Sequence, residues 1–190
     1  MGLTLAQKEL TWAQGQLGKK VGQGECWDFA EQALAQAGAQ TSTDLGPVGD
    51  DIDYIWGDLR NDAKDIQAGD ILQLRDWVVT TTTTTDYTYP DNSTDEDIDT
   101  QTLTRPHHTA IAKGQIDANG VLKTFEQNVD PSGKVVQNQS LATRDSTVTF
   151  PVVVRNHLNS NSGKVELAKV QKTVDVSTSG TMSIYKPLAK

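Results

Sequence analysis

Gly22-Gln23-Gly24-Glu25-Cys26-Trp27-Asp28-Phe29-Ala30 decides the reading of the fold, because it holds the only cysteine in the chain and opens a helical pattern. From Glu25 to Ala37 the residues are mostly good helix formers. Phe29, Ala30, Ala33, Leu34 and Ala37 recur at spacings that build one apolar face, and Gly38 is a natural stop. The upstream glycines permit a tight turn, so Cys26 falls in the first helical turn. Unpaired backbone N–H groups and the helix dipole favour an anion there. A thiol has an ordinary pKa of about 8.5, and a helix N-terminus with an imidazolium neighbour lowers it. A lone cysteine also serves as a small buried hydrophobe, so the rest of the chain must supply its partners.

Composition sets outer limits. A chain of 190 residues is long enough to bury a core, but its apolar fraction of 36% suggests that part of it is solvated loop. The formal charge of −8 argues against nucleic acid and offers no attraction to anionic lipid or to polyanionic wall polymers. Residues 1–17 lack the cationic start and apolar run of a signal peptide, and no stretch reaches transmembrane length. The expected location is therefore the cytoplasm, or outside it by a route without such a signal. One cysteine allows no intrachain disulfide and no Cys-rich zinc site. We expect no metal, no cofactor and a monomer.

Taken in order, Thr4–Leu17 reads as a first helix with Thr4 as its N-cap, followed by a turn into the Cys26 helix. Ala39–Asp53 reads as a polar loop. Gln67-Ala68-Gly69-Asp70 leads into a strand Ile71–Leu74 that continues or restarts at Trp77–Val79. Thr80–Thr85 is six consecutive threonines, and up to Thr104 the chain is acidic with no basic residue. This Thr-rich acidic insertion at about 80–104 reads as a protruding hairpin with an exposed tip at Tyr89–Ser93. Asp95–Asp99 lacks the spacing and glycine of a calcium loop and is taken as a solvated face. Thr109–Ala112 and Val121–Phe125 flank a hairpin turn at Asp117–Gly120. Further strands are expected at Lys134–Val136, Thr147–Arg155 and Thr181–Tyr185, with Val165–Val170 open between strand and helix. Helices first and an antiparallel sheet after make an α+β fold.

His108 opens one hairpin strand, and Glu126 and Asn128 close its partner, so antiparallel pairing brings these ends together. Packing the Cys26 helix on such a sheet would set the thiol beside His108. His108 then takes the thiol proton, the thiolate attacks a carbonyl carbon, and the imidazolium protonates the leaving amine. Glu126 or Asn128 orients the ring, and the backbone N–H of Cys26 with the Gln23 amide are candidate oxyanion donors. His107 and His108 would face opposite ways on a strand, so only one of them can serve as the base. Trp27, Trp56 and Trp77 could line a groove, although large aromatics more often fill cores, and Trp27 is expected there.

Gly24-Glu25-Cys26-Trp27, Ala68-Gly69-Asp70-Ile71, His108-Thr109-Ala110-Ile111-Ala112 and Glu126-Gln127-Asn128 resemble, in order and approximate spacing, the CHAP and NlpC-type branch of papain-like cysteine hydrolases. The likeness covers roughly residues 22–128. It implies a single papain-like domain over residues 1–190, with N-terminal helices packed on an antiparallel β-sheet. It also implies Cys26 as nucleophile, His108 as base, and Glu126 and Asn128 as orienting residues. A closer likeness is to the cysteine-proteinase-fold domain of fungal actin-patch proteins and some bacterial proteins, which extends the match through Ile184-Tyr185-Lys186-Pro187. The implied activity is cleavage of an amide or peptide bond through a thioester, with a peptide or peptidoglycan-like substrate. Peptidoglycan amidase or endopeptidase action is one version. The alternatives are a catalytically silent module that binds a protein partner in its groove, and an effector-type peptidase or deamidase acting on proteins.

Overall fold

Thr4 caps the first helix, α1 (Leu5–Gly15), through a capping box in which its hydroxyl accepts from the Gln7 backbone N–H and the Gln7 side chain accepts from the Thr4 N–H. In this computed structural model, residues 2–49, 51–130 and 133–190 are described. Asp50, in the loop expected from Ala39 to Asp53, lies outside them. α2 (Cys26–Ala37) begins at the cysteine and ends on Gly38 in the left-handed conformation at φ +81°, as the apolar periodicity predicts. A short helix α3 (Ser42–Leu45) and a 3₁₀ turn (Ala63–Asp65) follow.

The strands are β1 (Asp58–Leu59), β2 (Ile71–Thr88), β3 (Thr94–Ala112), β4 (Val121–Glu126), β5 (Gln137–Ala142), β6 (Ser146–Thr149), β7 (Val153–Asn159) and β8 (Lys164–Lys186). The sheet order is β1-β8-β2-β3-β4-β5, and β6 and β7 also pair with β8. β1, β6 and β7 pair antiparallel with β8, and β4 pairs antiparallel with β3 and β5. Helices followed by an antiparallel eight-stranded sheet make up the α+β arrangement expected from the sequence.

Contacts divide the chain into two units, the first of residues 1–78, 104–143 and 179–190. Its core joins the α2 face (Phe29, Ala30, Ala33, Leu34) to Trp56, Ile71, Ile111 and Phe125, with Ala13 of α1. Full burial of side chains such as Phe29 or Leu34 contributes about 1.5–3 kcal/mol each. The turn before β2 fits closely under α1. Gly69 has φ +86°, and a Cβ there would come 2.7 Å from that of Ala6. Asp70, buried in that turn, accepts from both Arg60 Nε (2.5 Å) and Arg60 Nη2 (2.9 Å).

The second unit comprises residues 79–103 and 144–178. The acidic threonine stretch forms a hairpin whose arms continue β2 and begin β3, with hydroxyl contacts between Thr80 and Thr102 and between Thr82 and Thr100. Its tip is less exposed than expected. Tyr89 is buried with Tyr87, Ala168 and Val170, because its hydroxyl finds Asp95 Oδ2 at 2.8 Å and His157 Nδ1 at 2.8 Å. Asp97 accepts from the Tyr87 hydroxyl at 3.0 Å, so part of the acidic run is used within the fold.

Several strand boundaries differ from the sequence reading. Ile71–Thr88 is one strand, not a strand that restarts at Trp77. Thr147–Arg155 is split into β6 and β7 around Pro151, which lacks the N–H to continue a ladder. Lys134–Val136 is not a strand. Val136 makes an isolated bridge to Leu17, and the strand itself is Gln137–Ala142. His108 lies near the end of the 19-residue strand β3, not at its start.

Candidate active site

Cys26 reaches its position through the turn before it. Gly22 has φ +56°, and a Cβ there would sit 2.6 Å from the Asp28 carboxyl, so only glycine fits. Asp28 in turn accepts from the backbone N–H of Gln23 (2.9 Å) and of Glu25 (3.0 Å), closing the helix N-terminus on its own loop. Gln127, fully buried, fastens this loop to the end of β4. Its carbonyl accepts from Val21 N–H at 2.8 Å, and its amide donates to Val21 O (3.0 Å) and Glu25 O (2.7 Å). Asn128, at φ +64°, donates to Glu25 Oε2 at 2.7 Å, and Lys134 pairs with the other Glu25 oxygen.

The strand side is held by Gln73 of β2. Its amide donates to the His108 carbonyl at 3.4 Å, and its oxygen accepts from Trp56 Nε1 (3.1 Å) and the Thr109 hydroxyl (3.2 Å). The His108 side chain, 5% exposed, lies between Cys26 and Glu126. Its Nε2 is 3.1 Å from Glu126 Oε2. An ionised carboxylate only accepts, so that nitrogen is the donor, and Nδ1 is left for the hydrogen bond with Cys26.

Glu126 has no exposure at all. Arg105 Nε donates to the same Oε2 at 3.0 Å, and the Thr124 hydroxyl donates to Oε1 at 2.6 Å. Burial pushes the Glu126 carboxyl up, but His108, Arg105 and Thr124 outweigh it and hold the group at about 2. Burial pulls His108 down, but Cys26 and Glu126 more than offset it and lift the imidazole to about 9. Burial likewise raises the Cys26 thiol, and His108, with the Thr109 and Trp27 backbone, brings it below its ordinary value. The two shifts have one origin. A thiolate and an imidazolium in contact each favour the charged form of the other.

Residues 4–190 match the family described as the AIM3/BBC1 cysteine proteinase-fold domain. The chain belongs to that family. No curated protein and no solved structure matches it.

In this AIM3/BBC1 domain two clefts meet at the thiol, of about 310 and about 320 Å³. Cys26, Glu25, His107 and His108 line both. Trp27, Tyr54 and Asp51 complete one wall of the first, and Arg105, Asn128 and Asp130 line the second. Trp27 both packs against the core, as expected, and lines a cleft, with its indole N–H on Ser42 Oγ at 2.8 Å, whereas Trp56 and Trp77 are buried. His107 stacks on Tyr54, ring centres 5.4 Å apart, with Nε2 3.6 Å from Asp53, beyond hydrogen-bonding reach.

Of the sequence-derived site residues, Cys26, His108 and Glu126 come together. Asn128 bonds Glu25, and the ring's partner is Glu126 instead. Gln23 is exposed, gives its backbone N–H to Asp28, and is not among the residues lining either cleft. Sequence reasoning missed Arg105, Gln127, Gln73 and Thr124. Only Gln127 carried a signal, through its place in Glu-Gln-Asn. No helix among the described residues is long and apolar enough to cross a membrane.

Proposed function

We propose that the chain is a cysteine hydrolase that cleaves an amide or peptide bond through a thioester on Cys26. The observation that carries this reading is the line Cys26–His108–Glu126, open to the clefts at the thiol and buried behind it, in which thiol and imidazole are each shifted toward their charged forms. A histidine inert in a core has no need of a carboxylate on one nitrogen and a thiol on the other. In the reaction the Cys26 thiolate attacks the carbonyl carbon, and His108 delivers its proton to the departing amine. His108 then accepts a proton from the water that hydrolyses the thioester. Glu126 keeps the ring in one tautomer. Cys26 begins α2, so the free N–H groups of that helix N-terminus are the donors available to a developing oxyanion. The chain's formal charge of −8 disfavours a polyanionic substrate. A peptide cross-link of a wall polymer would be a special case of that chemistry.

The test is the pH dependence of Cys26 alkylation by iodoacetamide, for which the chain's single cysteine gives an unambiguous signal. We expect a midpoint well below pH 8 that moves toward an ordinary thiol in His108→Ala. An ordinary midpoint in both proteins would sink the hydrolase reading and leave a groove that binds a protein partner without cleaving it.

A further inference from the structure

Arg105 is nine-tenths buried, and its Nε meets the same Glu126 oxygen that receives His108 Nε2. Its Nη1 turns back to the Thr104 carbonyl at 3.3 Å, so the guanidinium is anchored at both ends. Three donors thus converge on one buried carboxylate: Arg105 and His108 on Oε2, and Thr124 on Oε1. A cysteine–histidine pair needs only an acceptor for the ring; it does not need a second cation on that acceptor. Without Arg105, an ionised Glu126, a thiolate and one imidazolium would leave the buried cluster with a net negative charge, which desolvation penalises. With Arg105 the row is Arg⁺, Glu⁻, His⁺, Cys⁻, and every charge has a partner.

We propose that Arg105 is a positioning residue of the Cys26–His108 pair: by balancing the Glu126 charge, it allows the thiolate to coexist with the imidazolium inside the fold. This rests on the reading of Cys26 and His108 as nucleophile and base. Among the described residues, the other charged or titratable groups at the site are Glu25 on the α2 side with its partner Lys134, His107, Asp51 and Asp53 with their partner Arg75, and Asp130 after β4. All of these remain when Arg105 is changed, so they do not contribute to the difference.

Two midpoints report on the proposal in Arg105→Gln: Cys26 alkylation by iodoacetamide, and titration of the His108 ring followed by NMR. Loss of a nearby positive charge raises both, each by about one pH unit, so alkylation below the midpoint slows about tenfold. A site that had merely loosened would behave differently. His108 would fall from about 9 toward 6.5 as it lost its partners, the opposite direction. A downward or absent His108 shift in Arg105→Gln therefore overturns the proposal. Arg105→Lys keeps the charge and is expected to hold both midpoints within about half a unit of wild type. A lysine variant with both midpoints raised as in a charge loss also overturns it, and this arm stands even if the glutamine variant does not fold. An ordinary thiol midpoint in wild type, by contrast, refutes the nucleophile reading itself, whatever the Arg105 variants do.

Discussion

Glu9 lies in the middle of the buried face of α1, with no exposure and with neither carboxyl oxygen hydrogen-bonded. A Cβ on Gly69 would lie 3.4 Å from its Oε2, which places the carboxyl against the turn that carries Asp70. Burial, and then the Asp70 charge, push its pKa well above the ordinary carboxylate value of 4.5. The folded state therefore keeps Glu9 protonated while the unfolded state ionises above that pH. The unfolded chain then binds one proton fewer, so stability falls with rising pH by about 1.4 kcal/mol per unit until the folded pKa is reached. Replacing Glu9 by methionine, similar in length and apolar, removes that loss, along with the roughly 1–3 kcal/mol of an unsatisfied buried polar group. The gain of Glu9→Met over wild type should start near pH 4 at the roughly 1–3 kcal/mol of the unsatisfied group and widen as pH rises. For a chain of this size each kcal/mol shifts Tm by about 2–4 °C, so the gap should open by roughly 3–6 °C per pH unit. Thermal unfolding of both proteins by circular dichroism from pH 4 to 8 measures it. A gap that stays constant with pH, or a variant less stable than wild type at pH 7, would refute the argument by showing that Glu9 is ionised and paired in the folded state.

The His108–Glu126 pair predicts a different pH dependence. His108, raised from 6.5 to about 9, contributes stability that is complete below 6.5 and is lost as pH climbs through 9. Glu126, lowered from 4.5 to about 2, contributes stability complete above 4.5 and lost as pH falls toward 2. His108→Ala should flatten the alkaline side of the Tm profile, and retention of the wild-type slope there would argue against the ion pair. Gln127→Ala removes three hydrogen bonds that clamp the turn before Cys26, each worth about 0.5–1.5 kcal/mol net. It should lower Tm by several degrees and move Cys26 alkylation toward an ordinary thiol midpoint, whereas a lowered Tm with an unchanged midpoint would show that the clamp does not place the thiol. Gly22→Ala, with positive φ and a Cβ driven into the Asp28 carboxyl, should have the same signature; a variant as stable as wild type would count against the tight-turn account. Cys26 should form an acyl adduct with an activated ester, detectable by mass spectrometry, and Cys26→Ala should form none.

How much of this could be read from the sequence depended on whether local rules matched the final environment. α2 was legible because its apolar face, its glycine stop and its position after a glycine turn all point one way. The hairpin around Asp117–Gly120 announced itself in the same manner. β8 did not. Its 23 residues mix lysine, threonine, serine and valine because one strand pairs with β6, β7 and β1 at different places and never shows a sustained alternation. β5 was missed because Gln137–Ala142 is polar and only Leu141 in it is buried. At the site, motif order was enough to bring Cys26, His108 and Glu126 together. It could not say that Glu126 meets the ring while Asn128 turns to Glu25, which depends on the left-handed backbone at 128. Arg105 and Gln73 act through long-range side-chain contacts that no local pattern reveals.

The Gln127 clamp joins positions 106 residues apart. At a translation rate of about 5–20 residues per second, the thiol leaves the ribosome on the order of 5–20 seconds before the residue that fastens its loop. During that interval Cys26 belongs to an unfinished chain without its histidine or its clamp, and it reacts as any free thiol does. The surroundings of Cys26 thus cannot be complete in a newly made molecule until residue 127 has emerged.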